Sequence, residues 1–465
     1  MPDDLSFLSL TEAVRLIRSG DLSPVEYTQA LLDRIAAHDG QLDSFLRVLD
    51  DSALENAALA EKAVKNGEKL GPLHGVPFAL KDIVDVAGLP TTAHSQILAQ
   101  EPPKTDHATV TEKLCNAGGV LLGKTATHEF AIGGPSFDLP WPPARNPWNR
   151  KRYPGGSSSG SGAAVAAGLV PMAIGTDTGG SVRNPATACG IVGMKPTYGR
   201  VSRRGVFPLS FSLDHVGPMT RTVADNALML NVIAGHDPDD PGSANLPTPD
   251  FTAELDKGVD GLCIGVIRHF HNRDMKAEPA MAQALEDAID VLSGLGANIT
   301  EIETAPLGNF ATCNRIILLS EAYSIHRNWL QNRPEDYSQS FLERILPGAF
   351  LSSSDYVDAL RLRRKLTASF NQTISALDGV IAVSSMDAAF AIDDAEEIAL
   401  KYPRQARTPF NITGNPALAI PTGFDDEGMP LAMQIVGKQF DETMVYRIAA
   451  SYEVATKWHS RRPPL

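Results

Sequence analysis

Between Gly155 and Gly193 the chain carries ten glycines in 39 residues, beside eight Ser or Thr and two charged side chains, Asp177 and Arg183. A Gly/Ser-rich composition by itself fits a flexible linker. Here the run Ala163-Ala164-Val165-Ala166-Ala167-Gly168-Leu169-Val170 interleaves apolar residues that a linker has no reason to carry. The segment therefore reads as buried backbone. Glycine in a packed interior serves a positive φ or a close approach of main chain to another group. Any fold built on this chain must bring backbone, rather than bulky side chains, up to something.

The rest of the composition bounds the answer. The 465 residues hold 41 Lys plus Arg against 55 Asp plus Glu, a formal charge of −14. That length accommodates several domains or one large fold with an insertion. An acidic balance without a concentrated basic tract argues against a nucleic-acid partner, whose affinity comes from Lys and Arg on phosphates. The basic clusters Arg361–Lys365 and Arg203–Arg204 read as solvated faces. Met1-Pro2-Asp3-Asp4 is acidic where a secretory signal is basic, so export is not expected. The small-apolar run from Ala163 to Gly175 is too short for a bilayer span and is broken by Gly168 and Pro171, so no membrane segment is expected. Cys115, Cys189, Cys263 and Cys313 lie far apart with no C-x-x-C, which signals neither a disulfide framework nor a zinc site and fits a reducing cytoplasm.

Secondary-structure signals alternate along the chain. Ser9-x-x-Glu12 and Ser23-Pro24-Val25-Glu26 resemble capping boxes opening two amphipathic helices, and a third helix is expected over 52–66. Val76–Leu80 is a short apolar run with strand character that delivers Lys81-Asp82 at its end. Helix 108–116, strand 120–123 and a Pro- and Trp-rich loop over 133–154 follow, then the Gly/Ser core. Beyond it come helix 223–234, strand 262–267, helix 279–295 and strand 298–302. Strands 379–384, 417–421 and 431–436 and helix 442–457 close the chain. This alternation predicts an α/β fold, a central mixed β-sheet covered on both faces by helices. With no internal repeat and no linker, 1–465 reads as a single domain. The helical, large-side-chain stretch near 310–365 is read as an insertion that shapes a pocket.

Three serine motifs can be tested on the Gly/Ser core. Gly156-Ser157-Ser158-Ser159-Gly160 satisfies G-x-S-x-G with Ser158 central, but the upstream Asn149–Pro154 is a poor strand for a nucleophile elbow. Within this core no Gly-Lys-Ser/Thr closes a phosphate-binding loop, and no S-x-x-K occurs in the chain. A fourth arrangement fits better. A serine hydroxyl needs a base, and a lysine serves if burial keeps its amine neutral. Lys81 arrives at the end of an apolar run beside a core with few charges. Lowering its pKa from about 10.4 toward 7 costs on the order of 4–5 kcal/mol, within reach of desolvation.

These residues fall into an ordered set of motifs: Gly75-Val76-Pro77-Phe78-Ala79-Leu80-Lys81-Asp82, Pro154-Gly155-Gly156-Ser157-Ser158, and Gly175-Thr176-Asp177-Thr178-Gly179-Gly180-Ser181 followed by Arg183 and Pro185. Cys189-Gly190, Gly193–Thr197 and Asn415-Pro416-Ala417 extend the pattern over most of the chain. The sequence resembles the amidase signature family, whose triad is Ser-cisSer-Lys. The resemblance implies the amidase-signature fold, with Ser181 as nucleophile and Ser157, after a cis peptide, relaying its proton to Lys81. It also implies an oxyanion hole from the backbone amides of Thr178, Gly179, Gly180 and Ser181, where glycine keeps side chains clear of the tetrahedral intermediate. No metal or organic cofactor is implied. One departure is Ser159, where the family commonly has glycine; it is expected to add a structural hydrogen bond.

Other residues receive plainer readings. Asp177 and Arg183 are expected to pair and brace the nucleophile loop, and Asp82 to position the strand end. His215 is read as structural, since no second ligand sits at i+3 or i+4, and Cys313 as a small buried hydrophobe. By the resemblance, Phe130, Ala131, Ile132 and Gly133 lie where substrate contacts arise, and Trp141, Tyr323 and Trp329 are further candidates to line an acyl pocket. The function implied is hydrolysis of a small linear carboxylic amide through an acyl-enzyme, in the cytoplasm, with a homodimer left open. The alternatives are the glutaminase-type A subunit of a tRNA-dependent amidotransferase, and a carbamate, biuret-type or aryl-amide hydrolase. The stretch Pro409–Pro416 reads more like stand-alone amidases than like the amidotransferase component.

Overall fold

The computed structural model describes residues 5–465, so the acidic Met1–Asp4 lies outside the described residues. Among the described residues eleven strands form one sheet: β1 (Phe45–Val48), β2 (Pro77–Lys81), β3 (Val120–Thr125), β4 (Met172–Asp177), β5 (Val192–Lys195), β6 (His215–Thr220), β7 (Cys263–Val266), β8 (Asn298–Glu301), β9 (Gly379–Val383), β10 (Ala417–Phe424) and β11 (Pro430–Val436). Their spatial order is β1-β3-β2-β4-β6-β5-β10-β11-β9-β7-β8. The sheet is mixed, as expected: β2 runs parallel to β3 and β4, and β7 parallel to β8 and β9, while the middle from β4 through β6, β5, β10 and β11 to β9 is antiparallel.

Every residue of β2, β4, β6, β9 and β11 is buried. A strand with one solvated face would alternate, so unbroken burial means that both faces of these strands are covered. Helices do the covering: Ser159–Ala166 packs on β2, β3, β4 and β6, Val223–Ile233 on β4, β5 and β6, and Pro279–Gly294 and Glu442–Thr456 on β9, β10 and β11.

Local signals explain the helix starts. Ser9 Oγ accepts from Glu12 N, and Ser23 Oγ accepts from Val25 N and Glu26 N with Pro24 at the first helical position. The Glu12 carboxylate turns to Arg15. Between β8 and β9 the chain leaves the sheet for the helices Leu307–Asn332, Gln339–Ile345 and Ser353–Thr373. Among the described residues no helix is long and apolar enough to cross a membrane.

The Gly/Ser core is not loop. It contains the helix Ser159–Ala166, the strand β4, the helix Arg183–Cys189 and the strand β5. The helix Ser159–Ala166 consists of Ser, Gly, Ala and Val alone, and Gly175 in β4 and Gly193 in β5 have no room for a Cβ.

Candidate active site

Two parallel neighbours, the third and fourth strands of the sheet, supply Lys81 and its surroundings. β2 pairs with β4 through Ala79↔Ala173 and Leu80↔Ile174, so Lys81 ends one strand beside Thr176 on the other. Lys81 is fully buried. Its Nζ donates to Ser157 Oγ at 2.7 Å and to Thr176 Oγ1 at 2.8 Å. Burial drives its pKa down to about 7, and the charges of Asp214 and Asp177 resist that fall.

Ser157 follows a cis peptide from Gly156 and is also fully buried. Its carbonyl accepts from His128 N at 3.1 Å. Gly156 has no room for a side chain, since a Cβ there would lie 2.2 Å from His128 Cε1. Ser158, the centre of the rejected elbow motif, turns inward: its Oγ donates to Thr176 O and accepts from Thr176 N. The next segment is tied to Ser181 through Ser158 N–H to Ser181 O at 3.2 Å, and Asn184 Nδ2 donates to Gly156 O. Lys81 Nζ thus meets Ser157 Oγ across 76 residues of sequence, and the main chain of Ser181, 24 residues further on, is tied to the neighbouring Ser158.

The loop that carries Ser181 is braced by a closed charge pair. Arg183 Nη2 and Nε lie 3.0 and 3.1 Å from the two oxygens of Asp177, with both side chains wholly buried. Asn411 Nδ2 donates to Asp177 Oδ1, and Arg183 also reaches Asn411, Gln434 and the carbonyl of Arg407. Burial alone would raise the Asp177 carboxyl, but the Arg183 guanidinium, Asn411 and Lys195 outweigh it and hold that carboxyl well below the usual range. Asp177 also takes the N–H of Gly180 at 2.8 Å. The four-donor oxyanion hole expected from the sequence is therefore corrected: Gly180 N–H is spent on Asp177, and Thr178, Gly179 and Ser181 carry the N–H groups with no protein acceptor among the described residues. Gly180 itself sits at φ +130°, and a Cβ on it would lie 2.5 Å from Arg407 Nε.

Several contributors carried no motif in the sequence. Asn314, on the helix Leu307–Asn332, donates to Thr178 O at 3.1 Å. Asp214 Oδ1 accepts from Thr178 Oγ1 at 2.6 Å, and its carboxylate takes the N–H groups of Leu209 and Ser210. Burial raises that carboxyl to about 6 against those hydrogen bonds. Thr176 lies inside the Gly-Thr-Asp motif, where alternation along a strand was the available signal. Asn314 and Asp214 act across the fold, and sequence spacing gave none.

A cavity of about 190 Å³ opens on Ser181. Gly156, the turn 178–181, Ala131–Gly133, Asn314, Leu318 and Leu319 border it, with Arg315, Arg344, Tyr402 and Arg407. Ala131, Ile132 and Gly133 border this cavity. Phe130 does not: it is buried among the rings of Phe207, His326, Trp329, Tyr337 and Phe341. Trp141 packs edge-on against His94, and its carbonyl contacts that ring. Tyr323 faces a separate cavity with Glu321 and Tyr356. A larger cavity, about 530 Å³, borders Thr176 and Asp214.

The plainer readings can be placed too. Asp82 forms a buried ion pair with Lys124 at 2.6 Å and accepts from Thr92 at the strand end. His215 Nδ1 bonds main-chain carbonyls of Asp177 and Leu213. Among the described residues no three His, Cys, Asp or Glu side chains gather into a metal-binding group. Cys313 is buried, its thiol against Ala359 O. Ser159 makes none of the structural hydrogen bonds expected of it; it opens the helix Ser159–Ala166 and borders a small cavity with His94 and His128.

The sequence profile of the family described as Amidase matches residues 26–446. The chain belongs to the amidase signature family. The A subunit of glutamyl-tRNA(Gln) amidotransferase from Chloroflexus aggregans is 39% identical over 488 residues, covering 99% of both chains. A solved chain described with a vestigial protein complex and the evolutionary origins of an s-triazine catabolic enzyme superposes with a TM-score of 0.91 at 31% identity, over 98% of this chain and 100% of that one. The peptide amidase of Stenotrophomonas maltophilia superposes with a TM-score of 0.86 at 32% identity, over 99% of this chain and 98% of that one. The fold is the amidase-signature α/β fold, and the protein is an amidase-signature hydrolase.

Proposed function

We propose that this chain hydrolyses a small linear carboxylic amide to the acid and ammonia or an amine. The observation that carries this reading is the buried Lys81 Nζ at 2.7 Å from Ser157 Oγ, with a pKa near 7, beside the turn that presents Ser181. A lysine in that range exists partly as a free amine at neutral pH and is able to take a proton. Ser181 Oγ attacks the carbonyl carbon while its proton passes to Ser157 and that of Ser157 to Lys81. The oxyanion is met by the N–H groups of Thr178, Gly179 and Ser181. The C–N bond then breaks as the proton returns through Ser157 to the departing nitrogen. Water repeats the sequence on the acyl-enzyme and frees the acid. The helices over 307–373 are the pocket-shaping part of one amidase domain, and Ala131–Gly133 edge the acyl site.

A second reading is favoured by the 39% identity to the A component of an amidotransferase over nearly the full length. In that reading the chain releases ammonia from glutamine within an assembly. The two separate in one experiment: the purified chain is assayed alone against amides, carbamates, aryl amides and glutamine. Turnover of simple amides without a partner supports the first reading. Ammonia release from glutamine alone, and only after partner proteins are added, overturns it. Ser181→Ala should abolish acyl-enzyme formation; a retained burst would mean that another serine is the nucleophile.

A further inference from the structure

The cavity in front of Ser181 has an unusual charge inventory for a protein of net charge −14. Among the described residues that line it, the charged ones are Arg315, Arg344 and Arg407, and none is acidic. None of the three forms an ion pair: the ion pairs of the described residues involve other arginines, and the closed Asp177–Arg183 pair leaves no carboxylate to spare. Arg315 is exposed. Arg344 is half-buried with its guanidinium 5.1 Å from the centre of the Tyr402 ring, a stacking that fixes its direction without neutralising it.

Arg407 is the most telling. It is 4% exposed, and its Nη1 is held by Ser384 O and Ser385 Oγ. Among the described residues its buried Nε has no hydrogen-bond partner, and it lies against Gly180, the residue before Ser181. A buried guanidinium N–H left without an acceptor is costly unless a ligand supplies one. Guanidinium groups match carboxylates in shape and charge, whereas a substrate ammonium would meet three like charges and no counter-ion.

We infer that the substrate of this site is a small anion: an amide carrying a free carboxylate and no ammonium group, the carboxylate received by Arg344 and Arg407 with Arg315 at the mouth. The volume of about 190 Å³ limits it to a short chain, of the class of the monoamides of three- to five-carbon dicarboxylic acids. This rests on the amidase reading above and deepens it by naming the substrate class.

The test compares matched amides on the purified chain. Succinamate is set against butyramide, which replaces the carboxylate by a methyl group, and glutaramate against glutamine, which adds the α-ammonium. The expected result is a kcat/KM for succinamate about ten- to a hundredfold above butyramide, the ratio that charge-assisted hydrogen bonds support. Glutaramate should likewise exceed glutamine. The KM for succinamate should rise with ionic strength while that for butyramide stays level. Arg344→Gln should bring the succinamate-to-butyramide ratio toward one, through KM. As a readout that does not need turnover, succinate should inhibit competitively, and more weakly in Arg344→Gln. Equal or better use of butyramide, or preference for glutamine over glutaramate, overturns the inference. If butyramide is turned over in a Ser181-dependent way, the amidase reading survives that failure; if none of the four is cleaved and succinate does not bind, both fall.

Discussion

Lys81 Nζ donates to Ser157 Oγ at 2.7 Å from a position wholly closed to solvent. Because burial brings this lysine to about 7, its protonated form, which is unable to accept a proton, dominates below that pH. The kcat/KM should therefore be present above about pH 7 and fall about tenfold per unit as the pH drops below it. A profile measured from pH 5 to 9 checks this. Lys81→Ala should lose about 10²–10⁴ in rate and lose the acid limb with it. A wild-type-shaped profile in that variant would remove the lysine as base.

The same lysine should burden the fold. Its native pKa lies below the unfolded value, so between about pH 7 and pH 10.5 the unfolded chain holds a proton that the native chain has given up. The penalty is complete below pH 7, on the order of 4–5 kcal/mol before the hydrogen bonds to Ser157 and Thr176 are set against it, and it disappears as the pH rises through the unfolded value. Lys81→Met should accordingly unfold at higher denaturant than the wild type at pH 7, by a few kcal/mol. The gap should close toward pH 10. A gap of constant size would point to packing as its cause.

How much of this was legible in sequence depended on what kind of signal each residue leaves. The apolar run 76–80 marked β2 and its terminal lysine, and the periodic helix 223–234 was found to within one residue. β4 and β5 left no trace, because both are buried along their whole length and so show no alternation, and each is short and interrupted by glycine, Gly175 and Gly193. In the site, Lys81 Nζ meets Ser157 Oγ, and Ser158 N–H meets Ser181 O, both between residues of the sequence motifs. The exceptions are side chains whose role depends on distant chain segments: Asn314 on Thr178, Asp214 on the same threonine, and Arg407 on Gly180. Phe130 misled for a related reason. It precedes three pocket residues, but its left-handed backbone (φ 47°) turns the ring into an aromatic cluster.

Asp214 links the lysine to the turn 178–181. Its charge is one of two that raise the Lys81 pKa against burial, and its Oδ1 holds Thr178 Oγ1. Asp214→Asn keeps an oxygen for Thr178 and removes the charge. The acid limb of the pH profile should move to lower pH, and kcat should fall as the turn loosens. A fall in kcat with an unmoved limb would leave Asp214 a structural role alone. Because the Asp214 carboxyl itself titrates near 6, its protonation below that pH lowers the Lys81 pKa as the variant does, so the wild-type limb should become shallower there, and the variant should lose this second bend.

The Asp177–Arg183 pair is the element whose loss should reach both stability and chemistry. Arg183 spends its guanidinium on Asp177, Asn411, Gln434 and the Arg407 carbonyl, while Asp177 fixes Gly180 N–H beside Ser181. Arg183→Met leaves a buried carboxylate unpaired and should cost about 3–5 kcal/mol in denaturant unfolding. The double variant Asp177→Asn with Arg183→Met removes both charges, so its loss should be smaller than the sum of the single losses. Asp177 has a depressed native pKa, so its share of the stability should be present above about pH 4 and drain as the pH falls further. That acid sensitivity should be absent from the double variant. Additive losses across the cycle would mean that the two side chains brace the turn independently of each other.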